Sequence, residues 1–309
     1  MKLLSIIVPC YNEEPAIHLF YNVLQKEVKS LNCSIEYIFV NDGSKDKTLD
    51  ELKRIKKNNY EYTIKIINFS RNFGKEAGIL AGLKESTGDY VVLMDADLQD
   101  PPYLLKSMLE EIEINEFDSV ATYRVDRKGE PPIRSFFARQ FYKLINRISD
   151  VDIVDGARDY RMMTRVMVDS IISLSEYHRF SKGIFAWVGF KTKFLEFENV
   201  ERIAGETKWS FWKLVKYAIE GIIAFTTAPL RIAVYFGFIV SILAFFYMVF
   251  VIVKAILYGD PVAGYPSMLT IILFLGGIQL LGIGVLGEYL AKTYMEVKKR
   301  PNYIVKDRF

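Results

Sequence analysis

Cysteine and histidine are scarce in this chain of 309 residues, which has two of each. They stand at unrelated spacings, so neither a zinc site nor a disulfide scaffold is expected. So few cysteines are typical of a reducing compartment, which predicts that the main domain is cytosolic. An excess of one charge is also lacking, because 40 basic residues are balanced by 37 acidic ones. The balance gives no reason to expect a nucleic acid as partner.

Two other classes are excluded by what the sequence does contain. An aromatic content of 14% and an abundance of branched apolar residues exclude intrinsic disorder. The apolar run at the N-terminus ends at Pro9, and no small-residue cleavage site follows it, which is unlike a secretory signal peptide. A first buried strand is expected there instead.

Hydrophobic runs long enough to span a membrane are confined to the C-terminal part of the chain. Residues 232–253 and 261–287 contain no charged side chain. Each run exceeds the roughly 20 residues that a helix needs to cross a bilayer. Two buried helices of a large soluble core are the alternative. Runs of this length next to each other favour two transmembrane helices, at about 232–254 and 264–288.

The charges that flank the two runs predict their orientation. The link between the runs carries Asp260 and no basic residue, whereas the tail after residue 290 carries six. Positive charges stay on the cytoplasmic side of a membrane, so both ends of the pair are predicted to be cytoplasmic. Aromatic and basic residues at helical spacing over 208–219 suit an interfacial helix, with a partly buried soluble helix as the alternative. The expected divisions are a cytosolic domain over 1–207, an interfacial amphipathic region over 208–229, the two transmembrane helices within 230–290 and a basic cytosolic tail over 291–309.

The first hundred residues alternate apolar segments with segments of helical periodicity. The expected strands are 3–9, 35–40, 62–69 and 90–94, and the expected helices are 16–31, 48–58 and 75–85. This alternation predicts an α/β fold with a mostly parallel sheet that is covered on both faces. In such folds the ligand binds at the carboxyl ends of the strands.

Polar clusters follow all four expected strands. They are Y-N-E at 11–13, N-D-G-S at 41–44, R-N-F-G-K at 71–75 and D-A-D-L-Q-D at 95–100. Any one of them could be a turn or a helix cap, but four at successive strand ends indicate a ligand site. Asp95 and Asp97, with Gln99 nearby, suit Mg²⁺ or Mn²⁺, which would keep positions open for substrate phosphates. Asp42 could accept a hydrogen bond from a ribose or base, and Lys75 could reach a diphosphate.

Arginines accumulate downstream of these clusters. They are Arg124, Arg127, Arg134, Arg139, Arg158, Arg161 and Arg165. Bidentate contacts to a phosphate are one interpretation, and a solvated basic face is the other. Arg202 and Lys208 add two cations close to the first apolar run.

Seven motifs resemble those of a known enzyme family. S-I-I-V-P-C-Y-N-E-E (5–14), V-N-D-G-S-K-D-K-T (40–48), R-N-F-G-K-E-A (71–77) and D-A-D-L-Q-D-P-P (95–102) resemble the family 2 inverting glycosyltransferases. R-x-x-R-x-G-E (124–130), D-Y-R-M-M (159–163) and G-E-T-K-W (205–209) are similar to the polyprenyl-phosphate glycosyltransferases, the group of the bactoprenol glucosyltransferases and dolichol-phosphate mannose synthases. The resemblance covers essentially the whole chain and implies a GT-A (Rossmann-like) nucleotide-sugar domain followed by a two-helix transmembrane hairpin.

The resemblance also implies roles for individual residues. For the nucleotide of the donor it implies Pro9, Tyr11, Glu13, Asp42, Lys75, Asp95 and Ala96. For the Mg²⁺ or Mn²⁺ ion it implies Asp95, Asp97 and Gln99. For catalysis and for the grip on the acceptor phosphate and donor diphosphate it implies Asp97, Asp159, Arg124, Arg134, Arg139, Arg202 and Lys208. Mannose synthases often have serine at the position of Asp159, which leaves open whether this residue acts as a base.

The implied reaction moves a sugar, with glucose or N-acetylglucosamine favoured, from a UDP-sugar to undecaprenyl phosphate with inversion. The product would serve glycosylation of the cell envelope. The implied location is the bacterial cell membrane, where the chain would be multi-pass with a cytoplasmic catalytic domain. The implied partners are membrane lipid, a downstream flippase and further copies of the chain in a tetramer.

Three rival functions follow from the same residues. A polyprenyl-phosphate mannosyltransferase that uses GDP-mannose is the nearest. A processive polysaccharide synthase would share the first motifs, but such enzymes carry a Q-x-x-R-W motif and more spans, which this sequence lacks. A non-enzymatic membrane adaptor would not need Asp95 and Asp97 at the end of a strand.

Overall fold

The computed structural model describes residues 1–124, 140, 143, 146–147, 154, 156–197, 226–258 and 264–309. The chain divides into two compact units. The first comprises Met1–Ala224 together with Arg300–Phe309, and the second comprises Phe225–Lys299.

The first unit begins with the predicted alternation of strands and helices. Its elements are β1 (Leu3–Cys10), α1 (Ile17–Val28), β2 (Ser34–Asn41), α2 (Thr48–Asn58), β3 (Thr63–Phe69), α3 (Lys75–Glu85), β4 (Tyr90–Leu93) and α4 (Leu104–Glu113). The four strands are parallel and lie in the order β4-β1-β2-β3. Their carboxyl ends therefore share one edge of the sheet, where an α/β fold binds its ligand.

The sheet continues past β4 with strands of mixed direction. The elements are β5 (Ser119–Arg124), β6 (Ala157–Thr164), α5 (Arg165–Ser173), α6 (Ser181–Trp187) and β7 (Thr192–Phe197). β6 lies between β4 and β5 and is antiparallel to both, while β7 is parallel to β5. The antiparallel β6 matters for the site because it brings a new segment alongside the end of β4.

The last strand comes from the C-terminus of the chain. β8 (Val305–Arg308) pairs antiparallel with β3, which completes an eight-stranded sheet in the order β7-β5-β6-β4-β1-β2-β3-β8. Two backbone hydrogen bonds of 2.9 Å join Ile66 and Phe309 in both directions. No strand is predicted here from sequence, because one apolar residue followed by three charged ones looks the same as an exposed tail.

The central strands are buried on both faces, as their continuous apolar sequences predict. Leu4, Ile6 and Ile7 of β1 have no exposed surface. Helix α3 packs closely on this strand through Gly82, where an added Cβ would lie 2.2 Å from Cγ2 of Ile7. The close approach fixes the position of α3 on β1.

The second unit contains two long apolar helices, α7 (Ala228–Tyr258) and α8 (Tyr265–Val297). Ala228–Tyr247 and Phe274–Val297 are long and apolar enough to cross a membrane, and neither stretch is buried in the protein. The two helices indicate membrane association, as the sequence predicts. Helix α8 continues to Val297, past the predicted end at 288, because the residues after the apolar run still favour a helix.

Candidate active site

The loops after β1 and β2 are joined by hydrogen bonds between side chains and backbone. The Asn12 N–H donates to Oγ of Ser44 (3.0 Å), and the Glu13 N–H donates to Oγ1 of Thr48 (2.8 Å). In return, Oδ1 of Asn12 accepts from the Lys45 N–H (2.8 Å). Asn12 has a φ of 55°, which asparagine tolerates better than most residues. The first two predicted polar clusters are therefore one structural unit.

Four residues implied for the nucleotide lie at or beside this edge. Pro9 stands near the end of β1 opposite Val40 of β2. Tyr11 and Glu13 are half-buried in the loop that follows, and Ala96 is buried between the two aspartates of the D-A-D motif. Their position is compatible with the predicted roles, which stay predictions.

Asp42 anchors the loop that follows β3. Its two carboxylate oxygens accept hydrogen bonds from the N–H groups of Phe73 (2.6 Å) and Gly74 (2.9 Å). The side chain is only 4% exposed, and burial raises the pKa of Asp42, although the two N–H donors and Arg71 lower it. In this structure Asp42 shapes the edge of the site through the Arg71–Gly74 backbone, and its predicted contact with a ribose or base is untested.

Lys75 bridges two carboxylates, one from the turn that follows β4 and one from β6. Its Nζ lies 2.8 Å from the carboxylate of Asp95 and 2.6 Å from that of Asp159. The antiparallel register of β4 and β6 explains why the two carboxylates lie close together. Leu93 pairs with Arg161, and Asp95 and Asp159 each lie two residues beyond that pair in the same direction. Three separate motifs of the sequence thus converge on one ammonium group, as expected for residues predicted to act together.

The charges in this cluster stabilise each other. Burial acts to lower the pKa of Lys75, but the carboxylates of Asp159 and Asp95 outweigh it and raise that pKa well above its usual value. Burial likewise acts to raise the pKa of Asp159, but Lys75 and then Lys182 hold it well below its usual range. Lys75 is therefore a fixed cation and Asp159 a fixed anion at neutral pH.

Asp100 supports the D-A-D turn from behind. It is 1% exposed, accepts a hydrogen bond from the Asp95 N–H (3.1 Å) and pairs with Arg158 (3.2 Å). Burial raises the pKa of Asp100 to about 6, against the opposing effect of Arg158. The sequence analysis includes Asp100 in a motif but gives it no role. The signal in the sequence was the position of Asp100 in the same motif, five residues after Asp95, which is close enough to bond back to the Asp95 backbone.

The turn at 95–99 carries carboxylate oxygens of the kind that a hard cation takes as ligands. Leu98 adopts a φ of 57°, which is rare for leucine, and the Gln99 N–H donates to Oδ1 of Asp97 (3.1 Å). Among the residues that the structure describes, no cluster of three acidic, histidine or cysteine side chains could hold an ion. Two carboxylates fit Mg²⁺ or Mn²⁺ all the same, because these ions take their remaining ligands from substrate phosphates and water.

Glu76 connects the start of α3 to the start of α6. Its carboxylate accepts hydrogen bonds from the backbone N–H (3.0 Å) and the hydroxyl of Ser181. Burial, and next the charge of Asp159, raise the pKa of Glu76 to about 7. Glu76 has no role predicted from sequence, although it directly follows Lys75 in the R-N-F-G-K-E-A motif.

Three of the downstream arginines have protein partners and do not support the phosphate interpretation. Arg158 pairs with Asp100, and Arg165 donates to the carbonyl oxygen of Gly88 (2.9 and 2.6 Å). Arg161 is 4% exposed and lies 4.0 Å from the ring centre of Phe185, and burial lowers its pKa to about 10. These side chains build the framework of the site.

The other predicted cations lie outside the described residues. This applies to Arg127, Arg134, Arg139, Arg202 and Lys208, to the interfacial helix at 208–219 and to the side chain of Arg124. The backbone of Arg124 belongs to β5, where it pairs with Phe197 of β7.

Comparison with known proteins assigns families to both units. Residues 5–172 match the model of glycosyl transferase family 2, which is more than half of the chain. Residues 228–293 match the model of the GtrB C-terminal hairpin. The two matches cover the described elements from β1 into α5 and then most of α7 and α8.

Several known proteins are similar over nearly their whole length. The chain is 44% identical over 306 residues to a prophage bactoprenol glucosyl transferase homolog of Escherichia coli (strain K12), covering 99% of both chains. It is 42% identical over 308 residues to the bactoprenol glucosyl transferase of Shigella phage SfX, covering 100% of both. It is 43% identical to the putative glycosyltransferase CsbB of Bacillus subtilis (strain 168), covering 99% of this chain and 92% of that protein.

Solved structures agree at the level of the fold. The mannosyl-3-phosphoglycerate synthase of Rubrobacter xylanophilus superposes with a TM-score of 0.50 at 15% identity, over 72% of this chain and 73% of that chain. Such low identity shows the architecture and nothing about the substrate. The chain therefore belongs to glycosyl transferase family 2, as a glycosyltransferase with a GT-A fold and a GtrB C-terminal hairpin.

Proposed function

We propose that this glycosyltransferase moves one sugar, glucose or N-acetylglucosamine, from a UDP-sugar to undecaprenyl phosphate and inverts the anomeric centre. The structural observation that carries the proposal is Lys75, which lies between Asp95 and Asp159 at the carboxyl edge of the sheet. Full-length similarity to proteins named bactoprenol glucosyl transferase supports a polyprenyl phosphate as the acceptor.

The donor side of the reaction needs positive charge at the leaving diphosphate. Asp95 and Asp97 would hold the divalent cation, with Gln99 beside them, and that ion would neutralise charge on the diphosphate. Among the described residues Lys75 donates to Asp95 and Asp159, which leaves the third of its N–H donors for a diphosphate oxygen. Both contributions stabilise charge that develops as the sugar leaves.

The acceptor side needs positioning more than it needs a base. A phosphate monoester is largely ionised at pH 7, so its oxygen can attack without losing a proton. Lys75 and Lys182 keep Asp159 ionised far below neutral pH, and a base of such low pKa accepts protons poorly. We therefore assign Asp159 the task of holding Lys75 in place. Arg124, Arg134, Arg139, Arg202 and Lys208 stay the predicted grip on the acceptor phosphate.

A membrane location fits a lipid acceptor. Residues on both sides of α7 and α8 fold together in the first unit, because β8 pairs with β3. This supports two crossings, with the N-terminal domain and the C-terminus on the same side. The basic tail and the Asp260 link favour the cytoplasm for that side. A product made there needs a separate flippase to reach the outer leaflet. The flippase and a tetrameric assembly both stay predictions.

The decisive experiment supplies labelled UDP-glucose, UDP-N-acetylglucosamine or GDP-mannose to the full-length protein in detergent, with undecaprenyl phosphate and Mg²⁺ or Mn²⁺. We expect one lipid-linked sugar per acceptor from a UDP donor, with a β linkage from an α-linked donor. Asp95→Asn and Asp97→Asn should each reduce turnover by about 10²-fold or more, because each removes a negative oxygen at little steric cost.

The matched control is Asp50→Asn, which makes the same change at an exposed position on α2 and should keep full turnover. Transfer from GDP-mannose alone would overturn the UDP assignment. A polymeric product would favour a processive synthase. Full activity of the wild type in saturating EDTA would remove the metal from the mechanism.

A further inference from the structure

We infer that the C-terminal segment at 302–307 is part of the donor site, with Tyr303 and Asp307 as positioning residues for the loops that follow β2 and β3. The inference rests on the proposed function, in which Lys75, directly after the second of these loops, contacts the donor diphosphate. Two independent chains of contacts, one aromatic and one polar, lead from the segment to the loops.

The aromatic route starts at Tyr303. Its ring stacks on Phe69 at the end of β3, with centres 4.9 Å apart and planes 16° apart. Phe69 meets the edge of Phe73, with centres 5.8 Å apart. The backbone N–H of Phe73 is one of the two that Asp42 holds, and the guanidinium of Arg71 lies 4.1 Å from the Phe73 ring centre. Tyr303 therefore supports the Arg71–Gly74 loop through Phe69 and Phe73.

The polar route starts at Asp307. Its Oδ2 accepts from Nδ2 of Asn68 (2.9 Å), and Oδ1 of Asn68 accepts from Nδ2 of Asn41 (2.8 Å). Oδ1 of Asn41 then accepts from the Ser44 hydroxyl (2.5 Å), which in turn accepts from the Asn12 N–H (3.0 Å). The side-chain carboxylate of Asp307 thus lies at the end of a chain of hydrogen bonds that reaches the loop after β1.

Burial makes the loss of any hydrogen bond in this polar route costly. Asn41 is 2% exposed and Asn68 is 5% exposed, so neither amide can exchange a lost partner for water without rearrangement. Each uses one amide nitrogen and the amide oxygen in the chain, which fixes the orientation of both groups. Loss of the Asp307 carboxylate would free Asn68 to turn, and the orientation of Asn41 and Ser44 would follow.

Further contacts show that the segment has a defined place on the first unit. The Ser70 N–H donates to the carbonyl oxygen of Ile304 (3.0 Å). Nδ2 of Asn302 donates to the carbonyl oxygens of Glu176 (3.2 Å) and Tyr177 (3.0 Å). These contacts bring Tyr303 and Asp307 to fixed positions, although 239 residues separate Asp307 from Asn68 in the chain.

The test uses the full-length protein in detergent and two measurements. UDP with Mn²⁺ is the probe for calorimetric binding, and hydrogen–deuterium exchange reports the Phe73 and Gly74 amides without any ligand. Tyr303→Ala and Asp307→Ala should weaken UDP binding by about tenfold, the equivalent of one or two lost hydrogen bonds. Both should also speed exchange at 71–75. Tyr303→Phe and Asp307→Asn should restore both values, because they keep the ring face and an acceptor oxygen.

Lys306→Ala is the matched control, since Lys306 is exposed on the same strand and should leave both measurements unchanged. Tyr303→Leu keeps apolar volume but removes the aromatic stacking on Phe69, so it replaces Tyr303→Ala if the alanine variant does not fold. Wild-type values of UDP binding and amide exchange in Tyr303→Leu and Asp307→Ala would overturn the inference. A wild type that binds no UDP would instead refute the donor assignment, and the exchange measurement would still decide whether the segment positions the loops.

Discussion

At the level of the residue, Glu76 links the acid–base state of the site to stability. Burial and Asp159 raise its pKa to about 7 from a usual value of 4.5, while Ser181 and Lys75 lower it. Arg179 is a further charge that interacts with it. The folded state therefore holds this proton more tightly than the unfolded state does. Its contribution to stability is fully present below about pH 4.5 and is lost as the pH rises through about 7.

Glu76→Gln should remove this pH dependence. The Gln side chain stays neutral and keeps an oxygen acceptor for Ser181, so we expect a higher Tm than the wild type at pH 8 and a similar Tm at pH 5. Thermal unfolding from pH 5 to 8.5 measures the difference. Glu110→Gln, at an exposed position on α4, should follow the wild-type curve. Parallel curves for Glu76→Gln and the wild type would show that this carboxyl does not titrate as described.

At Gly43 an added side chain would meet two separate costs, a positive φ and steric overlap with neighbouring backbone. It has a φ of 61°, and an added Cβ would lie 2.4 Å from the backbone carbon of Arg71. Gly189 has a φ of 72°, but the nearest atom to its Cβ position is 4.0 Å away. Of these two glycines, Gly43 alone combines backbone strain with a close approach of the Arg71–Gly74 loop.

Gly189→Ala should cost about 1–2 kcal/mol of unfolding free energy, the cost of a positive φ alone. Gly43→Ala should cost about 3 kcal/mol or more and should also weaken UDP binding, because the Arg71 backbone must move. Denaturant unfolding of both variants gives the comparison. Equal costs would mean that the Arg71 loop gives way without penalty.

At the level of the element, the packing of α3 on β1 predicts a coupling between two positions. Gly82→Ala should destabilise the protein by about 1–3 kcal/mol through its contact with Ile7. Ile7→Ala alone should cost about 2–5 kcal/mol through the cavity that it leaves. The double variant should cost less than the sum by about 1 kcal/mol, because the new methyl group enters that cavity. Additive costs in denaturant unfolding would contradict the close contact.

The elements also show what the sequence could and could not predict. β1 to β4 and α1 to α3 were predictable, because each carries a buried apolar pattern of its own. β8 was not, since it acquires its structure only by pairing with β3. Arg161 looks like a phosphate ligand in sequence, but its burial depends on Phe185 of a distant helix. Asp95 and Asp159 were singled out separately, while their bridge through Lys75 depends on the strand register.

At the level of the whole molecule, cysteine labelling tests the proposed topology. Cys10 and Cys33 are buried, so an introduced exposed cysteine should react alone. In intact cells, Asp260→Cys should react with an impermeant maleimide, whereas Lys298→Cys should react only after the membrane is opened. Lys26→Cys, exposed on α1, reports the side of the membrane on which the first unit lies. Labelling of Asp260→Cys only in opened cells would rule out the two crossings.

The strand that completes the sheet follows both apolar helices in the order of the chain. Translation delivers N-terminal segments first, so β1 to β7 and both apolar helices emerge before β8 does. The outer edge of β3 therefore gains its partner only after both apolar helices have been synthesised. The loops that we infer to depend on Tyr303 and Asp307 gain this support at the same late stage. On this inference, a chain interrupted between the apolar helices and β8 should bind UDP more weakly than the whole chain.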